Sequence, residues 1–458
     1  MTAKRALLIW GVLTLLVISS LLSIWLWRGA AGFEIAIQRG PFTNLPVALA
    51  SVAATWLLGG IFLHLLSSKQ IDSKNALTWA GFFLVALVYL NLMRERVEYG
   101  DVEYYIAAAF KLAVEGVLPI DYYYPPLWAT LLAWLAPLGE DGAFITIWFF
   151  NLLGLFAFYF LLSKTLELYG FSANLAALVT TVFMLANAPI LRTMVYMQIN
   201  LHVLNMVLLG LLLYQRYPAL SAMTTAIAVH LKASPAVLVL AFLLEWNWRW
   251  LVWAGLSFLV VGALPIVFYG FQPYLDFIRN TALVAAGHGL NFRENSFEGL
   301  LMAFSAVLSL PDAFVEIGTN IARAVLFVAA ILVMRRNIQR ETFFTGAEGA
   351  RLFNTMPSLL ILMTLASPIV WVHHGIFVGL SFLLLLKKLD SPASWTLFGF
   401  AYFFEFLLPT FDFFPWSYGR LVAPLIILWL MWKLSDKSSE LFPKANCWAE
   451  SLLMEKTH

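Results

Sequence analysis

The chain has 458 residues, 62% of them hydrophobic and 12% charged, with a formal net charge of +2. Ordinary soluble domains carry about 25% charged residues, so an ordinary soluble globule is excluded, and nothing in the charge points to a nucleic-acid partner. A single cysteine, Cys447, excludes a disulfide framework and a cysteine-based metal site.

Taken in chain order, the apolar residues fall into runs of roughly 15–22, the length an α-helix needs to cross a hydrocarbon layer. Lys4 and Arg5 precede a run from Ala6 to Trp27 that is too long for a signal-peptide core, so it reads as a retained first span. A second run covers 46–66, and these two form an N-terminal addition, residues 1–75. Further runs lie near 76–93, 143–163, 172–190, 199–214, 218–232, 235–246, 250–270, 318–334, 353–371, 374–387, 393–409 and 418–434. The expectation is an all-α polytopic membrane protein of about 12–14 transmembrane helices, with its main module over 76–434 and a basic tail at 435–458. Placing the N-terminus in the cytoplasm puts Lys69, Lys74, Lys164, Arg335, Arg336, Lys387 and the tail inside, the sign expected of cytoplasmic loops. The loops 94–142 and 271–317 then face outward.

The stretch from Arg94 to Pro126 holds Glu95, Glu98, Asp101, Glu103, Glu115 and Asp121. Charge in a membrane protein concentrates where function needs it. Asp101 to Glu115 reads as an amphipathic surface helix, with Asp101 at the N-cap, Tyr105, Ala108 and Leu112 on one face and Gly116 at the end. Pro126 to Pro137 is too short to span and reads as a helix at the outer surface. Asp101 has two readings: a cap for free backbone N–H groups, contributing about 1 kcal/mol, or a carboxylate placed to take a proton from a hydroxyl. Glu103 and Asp121 compete for the second role. Lys232 closes the 218–232 run, and a cation at that depth either snorkels outward or meets an anionic partner. His373 and His374 are adjacent on the chain and cannot easily chelate one metal together, so imidazole hydrogen bonding is preferred to zinc. Gln198, Asn200, Arg293 and Asn295 add polar groups on the same outward side, which points to one polar cavity.

These residues form an ordered series: Asp101 and Tyr105, then Tyr124-Pro125-Pro126, then Gln198 and Asn200, then Lys232 and Pro235, then Ser367-Pro368 with Trp371, His373 and His374. The series resembles glycosyltransferase family 87 of the GT-C superfamily, which includes polyprenyl-phosphate-mannose-dependent mannosyltransferases and arabinofuranosyltransferases. The resemblance implies a GT-C helical bundle of the bacterial plasma membrane. It further implies inverting transfer of a sugar, mannose being the first guess, from a polyprenyl-phosphate donor to a lipid or glycan acceptor on the extracytoplasmic face. Asp101 would be the general base. Lys232, Arg293, His373 and His374 would hold the donor phosphate, and Tyr105, Tyr124, Gln198, Asn200, Asn295 and Trp371 would contact substrate. No metal and no cofactor are expected beyond the donor itself, and the partners are membrane lipids. The chain departs from the family pattern at Met197, where glycine is frequent, at Ala233, where proline is common, and at Glu294-Asn295-Ser296. The rival readings are a transporter or flippase, which should show two repeated halves with polar groups at the midplane, and a polysaccharide polymerase or ligase.

Overall fold

The protein was described from a computed structural model. It covers residues 75–96, 100–285, 294–346, 348–407 and 418–436, with scattered positions between 8 and 71. The two N-terminal spans and the tail beyond Asp436 therefore lie mostly outside the described residues, as does Arg293.

Among the described residues every regular element is helical. The α-helices are α1 (Ala76–Arg96), α2 (Asp101–Glu115), α3 (Pro126–Ala133), α4 (Gly139–Leu168), α5 (Ala173–Leu185), α6 (Ala188–Val195), α7 (Asn200–Leu213) and α8 (Pro218–Leu231). They continue with α9 (Val239–Glu245), α10 (Trp248–Tyr269), α11 (Gln272–Ala285), α12 (Phe297–Leu308), α13 (Asp312–Gln339), α14 (Ala350–Leu365), α15 (Gly379–Leu385), α16 (Pro392–Tyr402) and α17 (Gly419–Leu434). A 3₁₀ segment, Val372–Val378, carries the two histidines, and a π-helical turn covers Phe403–Leu407.

Among the described residues, four helical stretches are long and apolar enough to cross a membrane: Ala76–Met93, Ala136–Leu168, Trp248–Tyr269 and Asp312–Gln339. A fifth is supplied if the bent pair α5 and α6 counts as one span. Several runs expected to span are shorter helices of 10–17 residues. The local chemistry explains this. The 172–190 run breaks at Ala186, where Asn187 caps α6 by accepting from the Ile190 amide at 2.8 Å and Pro189 enters the first turn. The 353–371 run stays helical through Pro357 but ends at Leu365, with Ala366 as the C-cap two residues before Pro368, whose ring biases the preceding residue away from helical geometry.

The long helices are apolar on the outside. Val252, Leu259 and Val267 of α10 are exposed, the last at 75%, and so are Ile321, Val325 and Val328 of α13. Such faces would be unstable in water and are ordinary against lipid. This multi-pass chain uses its long helices as a lipid-facing fence. The shorter helices α7, α8 and α14 lie inside it, with α8 packed between α7 and α10 and α14 against α13. Every residue of α14 from Leu352 to Leu365 is buried. The ends of these inner helices carry the polar groups described next.

Candidate functional site

α2 forms where the sequence places it. Val102, Tyr105, Ile106, Ala108, Ala109 and Leu112 are buried on one face, and Gly116 ends the helix in the left-handed region at φ 73°. The N-terminus differs from expectation. Gly100 is the N-cap, Asp101 is the first helical residue, and no side chain caps the helix. A Cβ at Gly100 would stand 2.6 Å from Cδ1 of Tyr196, so only glycine lets the start of α2 close onto the end of α6. The Asp101 carboxylate is thereby turned away from capping. Among the described residues it makes no hydrogen bond and no ion pair. Burial pushes its carboxyl up to about 6, against the pull of the neighbouring Lys232 ammonium.

Behind Asp101, the phenols of Tyr105 and Tyr124 donate to one acceptor, Gln198 Oε1, at 3.1 and 3.3 Å. Their rings meet edge to face with centroids 5.3 Å apart. Burial, chiefly, holds both phenols above their ordinary range, so they remain donors at neutral pH. With its carbonyl spoken for twice, Gln198 presents Nε2 as a buried donor without a partner among the described residues. Asn200 is in the same condition at Nδ2, because its Oδ1 accepts from Lys232 Nζ at 2.7 Å. Buried donors are normally satisfied, so these two amides mark a place where acceptor oxygens fit.

Lys232 sits immediately after α8, in extended backbone at φ −152°, as the helix C-cap. Its Nζ also lies 2.7 Å from His374 Nε2, and 5.8 Å from the ring centres of both Tyr124 and Phe377. The backbone N–H of Trp371 stands 3.1 Å from Nδ1 of the same histidine, which fixes the ring between lysine and main chain. A narrow crevice of about 10 Å³ opens here, lined by Lys232, Ser234, Thr364, Ser367, His374 and the apolar Met363 and Phe377. His373 turns its carbonyl toward Thr193 Oγ1 at 3.5 Å, and its ring packs edge-on to that of His374. Asn295 joins through the main chain, its N–H donating to the Val370 carbonyl at 2.6 Å.

The expected residues therefore converge: Asp101, Tyr105, Tyr124, Gln198, Asn200, Lys232, Trp371, His373 and His374 form one linked cluster, with Asn295 beside it. Glu103 and Asp121 are exposed and do not join it. Arg293 is outside the described residues. Among those residues no group of three or more histidine, cysteine or acidic side chains could hold a metal ion.

Sequence reasoning missed the residues that brace this cluster. Asp276 on α11 accepts from the Leu118 amide at 3.0 Å, and Asn280 donates to the carbonyls of Pro119 and Tyr122 at 2.7 and 3.1 Å. These contacts pin the loop that delivers Tyr124. Glu405 in the π-helical turn packs on Gly375, where a Cβ would overlap Oε1 and stand 3.0 Å from Pro189 Cγ. Arg420 Nε donates to the Glu405 carbonyl at 3.3 Å. Met197 takes a left-handed φ of 51°, a conformation that favours glycine. Its fully buried side chain offsets that strain, and the kink orients Gln198 and Asn200.

A sequence model of glycosyltransferase family 87 matches residues 122–368, more than half of the chain. The matched stretch contains Tyr124, Gln198, Asn200 and Lys232 and stops just before the histidine pair. Asp101 and Tyr105 precede it and are tied to it by the Tyr105–Gln198 bond. No curated protein and no solved structure matches the chain.

Proposed function

The chain belongs to glycosyltransferase family 87, and from that premise we propose that it transfers a sugar from a polyprenyl-phosphate donor to a hydroxyl of a lipid or glycan, by inverting displacement at the extracytoplasmic face. The observation that carries this reading is an unpartnered carboxylate, Asp101, within electrostatic reach of a lysine whose ammonium is already aimed into the same cluster by Asn200 and His374.

Each part has a chemical task. The acceptor hydroxyl loses its proton to Asp101 as its oxygen forms a bond to the anomeric carbon. The bond from that carbon to the phosphate oxygen breaks on the opposite face, and the electron pair departs with the lipid phosphate. A carboxyl titrating near 6 is mostly ionised at neutral pH yet basic enough to accept a proton, the compromise general-base catalysis needs. The leaving phosphate requires charge stabilisation, and Lys232 with the imidazoles supplies preorganised donors for it. The free amide donors of Gln198 and Asn200 suit sugar hydroxyls or phosphate oxygens. The exposed apolar fence offers the prenyl tail a hydrocarbon path, at about 0.8 kcal/mol per buried CH₂.

The test is transfer of label from polyprenyl-phosphate mannose or arabinofuranose to a membrane-lipid extract by the purified protein, beside Asp101→Asn. Wild-type transfer with an Asn variant that binds donor but is slower by about 10²–10⁴ supports Asp101 as the base. Near-wild-type turnover by the variant would sink that role. Passage of intact donor across a vesicle without transfer would replace the transferase reading with a flippase.

A further inference from the structure

At the end of the bundle opposite the cluster around Lys232, helices α13 and α17 enclose a cavity of about 230 Å³, lined by Leu332, Arg335, Arg336, Gln339, Arg340 and Trp432. The placement follows from α14. The 16-residue helix is about 24 Å long and buried from Leu352 to Leu365, with the loop after α13 at its start and the Ser367–His374 segment after its end. The start is tied to that loop by Asn354, whose Oδ1 accepts from the Phe343 amide at 2.8 Å.

The cavity's chemistry is asymmetric. One wall is apolar, from Leu332 and Trp432, both exposed on the outer faces of their helices. The other wall carries three guanidinium groups against one carboxylate. Asp436 accepts from Arg336 Nη2 and lies 2.8 Å from Arg340 Nε, which leaves Arg335 with no ion pair among the described residues. Arg336 is held rigidly. Its Nε donates to Ser435 Oγ at 2.5 Å and its guanidinium lies 4.5 Å from the centre of the Trp432 ring. Arg336, fixed on an aromatic face with Nε and Nη2 already engaged, has Arg335 beside it in the chain and Arg340 one turn on. The guanidinium of Arg335, which has no ion pair among the described residues, and the N–H groups that Ser435 and Asp436 leave over suit a phosphate. An apolar lip beside it suits a molecule with an acyl chain attached.

We propose that this cavity binds the phosphate of an anionic phospholipid headgroup. The site is independent of sugar transfer, since none of its residues touches the candidate catalytic cluster. Juxtamembrane arginines gain from anionic lipid.

Full-length protein in neutral detergent, titrated with dioctanoyl phosphatidylglycerol, dioctanoyl phosphatidylcholine or inorganic phosphate, tests this through lipid adducts in native mass spectrometry and through the Tm. Phosphatidylglycerol should bind and raise the Tm well beyond phosphatidylcholine. Arg335→Gln with Arg340→Gln should weaken it by about fivefold per arginine. Asp436→Asn should tighten it, since the variant loses the carboxylate that competes with lipid. Equal binding of the two lipids, or an unchanged affinity in the double variant, overturns the proposal. Inorganic phosphate binding as tightly as the lipid makes this a soluble-anion site and overturns it too. Weaker binding by Asp436→Asn shows that the arginines need Asp436 for their own geometry, and overturns it as well. If the double variant does not fold, Arg335→Gln alone decides, because that side chain has no ion pair to lose.

Discussion

The two ends of the bundle keep their charges by opposite physics. At one end Asp101 and Lys232 are partly buried, drawn from distant segments, and share no ion pair, while the polar side chains around them are bonded to one another. At the other, Arg336 and Arg340 are partly or well exposed and both meet Asp436 at hydrogen-bond distance. Exposed pairs of the second kind contribute about 0–1 kcal/mol. Desolvated groups of the first kind perturb one another strongly and are kept at some expense of stability. The difference matches the two proposals, reaction at the first end and association at the second.

The sharpest way to break this contrast is Lys232→Met. It should lower transfer by about 10²–10³ through loss of charge stabilisation, and destabilise by about 1–3 kcal/mol by orphaning Asn200 Oδ1 and His374 Nε2. Activity assays and thermal melts would read both, and a loss of stability without loss of rate would reduce the lysine to a brace.

Next in size is the pH profile. With the carboxyl at about 6, kcat/KM should fall about tenfold per unit on the acid side of that value. In Lys232→Met the midpoint should move upward, because the ammonium opposes the rise. An unmoved midpoint would separate the two groups.

A smaller effect concerns stability. Asp101 titrates at 3.8 in an unperturbed chain and at about 6 when folded. Between those values the folded protein holds a proton the unfolded chain has released, so stability falls as pH rises through the window. Asp101→Asn removes that penalty. The variant should be more stable than wild type by about 1–2 kcal/mol at pH 7.5, discounted for partial exposure, with the difference vanishing below about pH 4. A variant less stable at every pH would mean the carboxylate has a structural partner.

The smallest effect belongs to the far end. Arg340→Gln should change stability by no more than about 0.5 kcal/mol, and only at low salt. A larger change would place that cluster in the same class as the first.

Parts of this were legible in the chain. The helix from Asp101 to Glu115 announced itself through its apolar spacing and Gly116, both local signals. Its cap did not, because the choice of Gly100 depends on Tyr196 pressing from another helix. The motif series found the cluster around Lys232, since most of its members sit near a helix end or beside a proline. The braces Asp276, Asn280 and Glu405 carry no local pattern, and their partners are far away in the chain. The bounds of single helices were hard to read for a related reason. Hydropathy registers the apolar character of 172–190 but not the break at Ala186, where Asn187 and Pro189 turn the helix by 63°.

The brevity of the inner helices has one more consequence. α7 and α8 are 14 residues each, about 21 Å, whereas a hydrocarbon slab is about 30 Å thick. Asn200 begins the first and Lys232 follows the second, so both lie at ends that cannot reach both surfaces of an unperturbed bilayer. On the proposed function, a donor phosphate docking there would have to sink beneath the plane of its neighbours, or the membrane would have to thin to meet it. On that proposal, acyl-chain length in the surrounding lipid would become a control on how readily substrate is admitted.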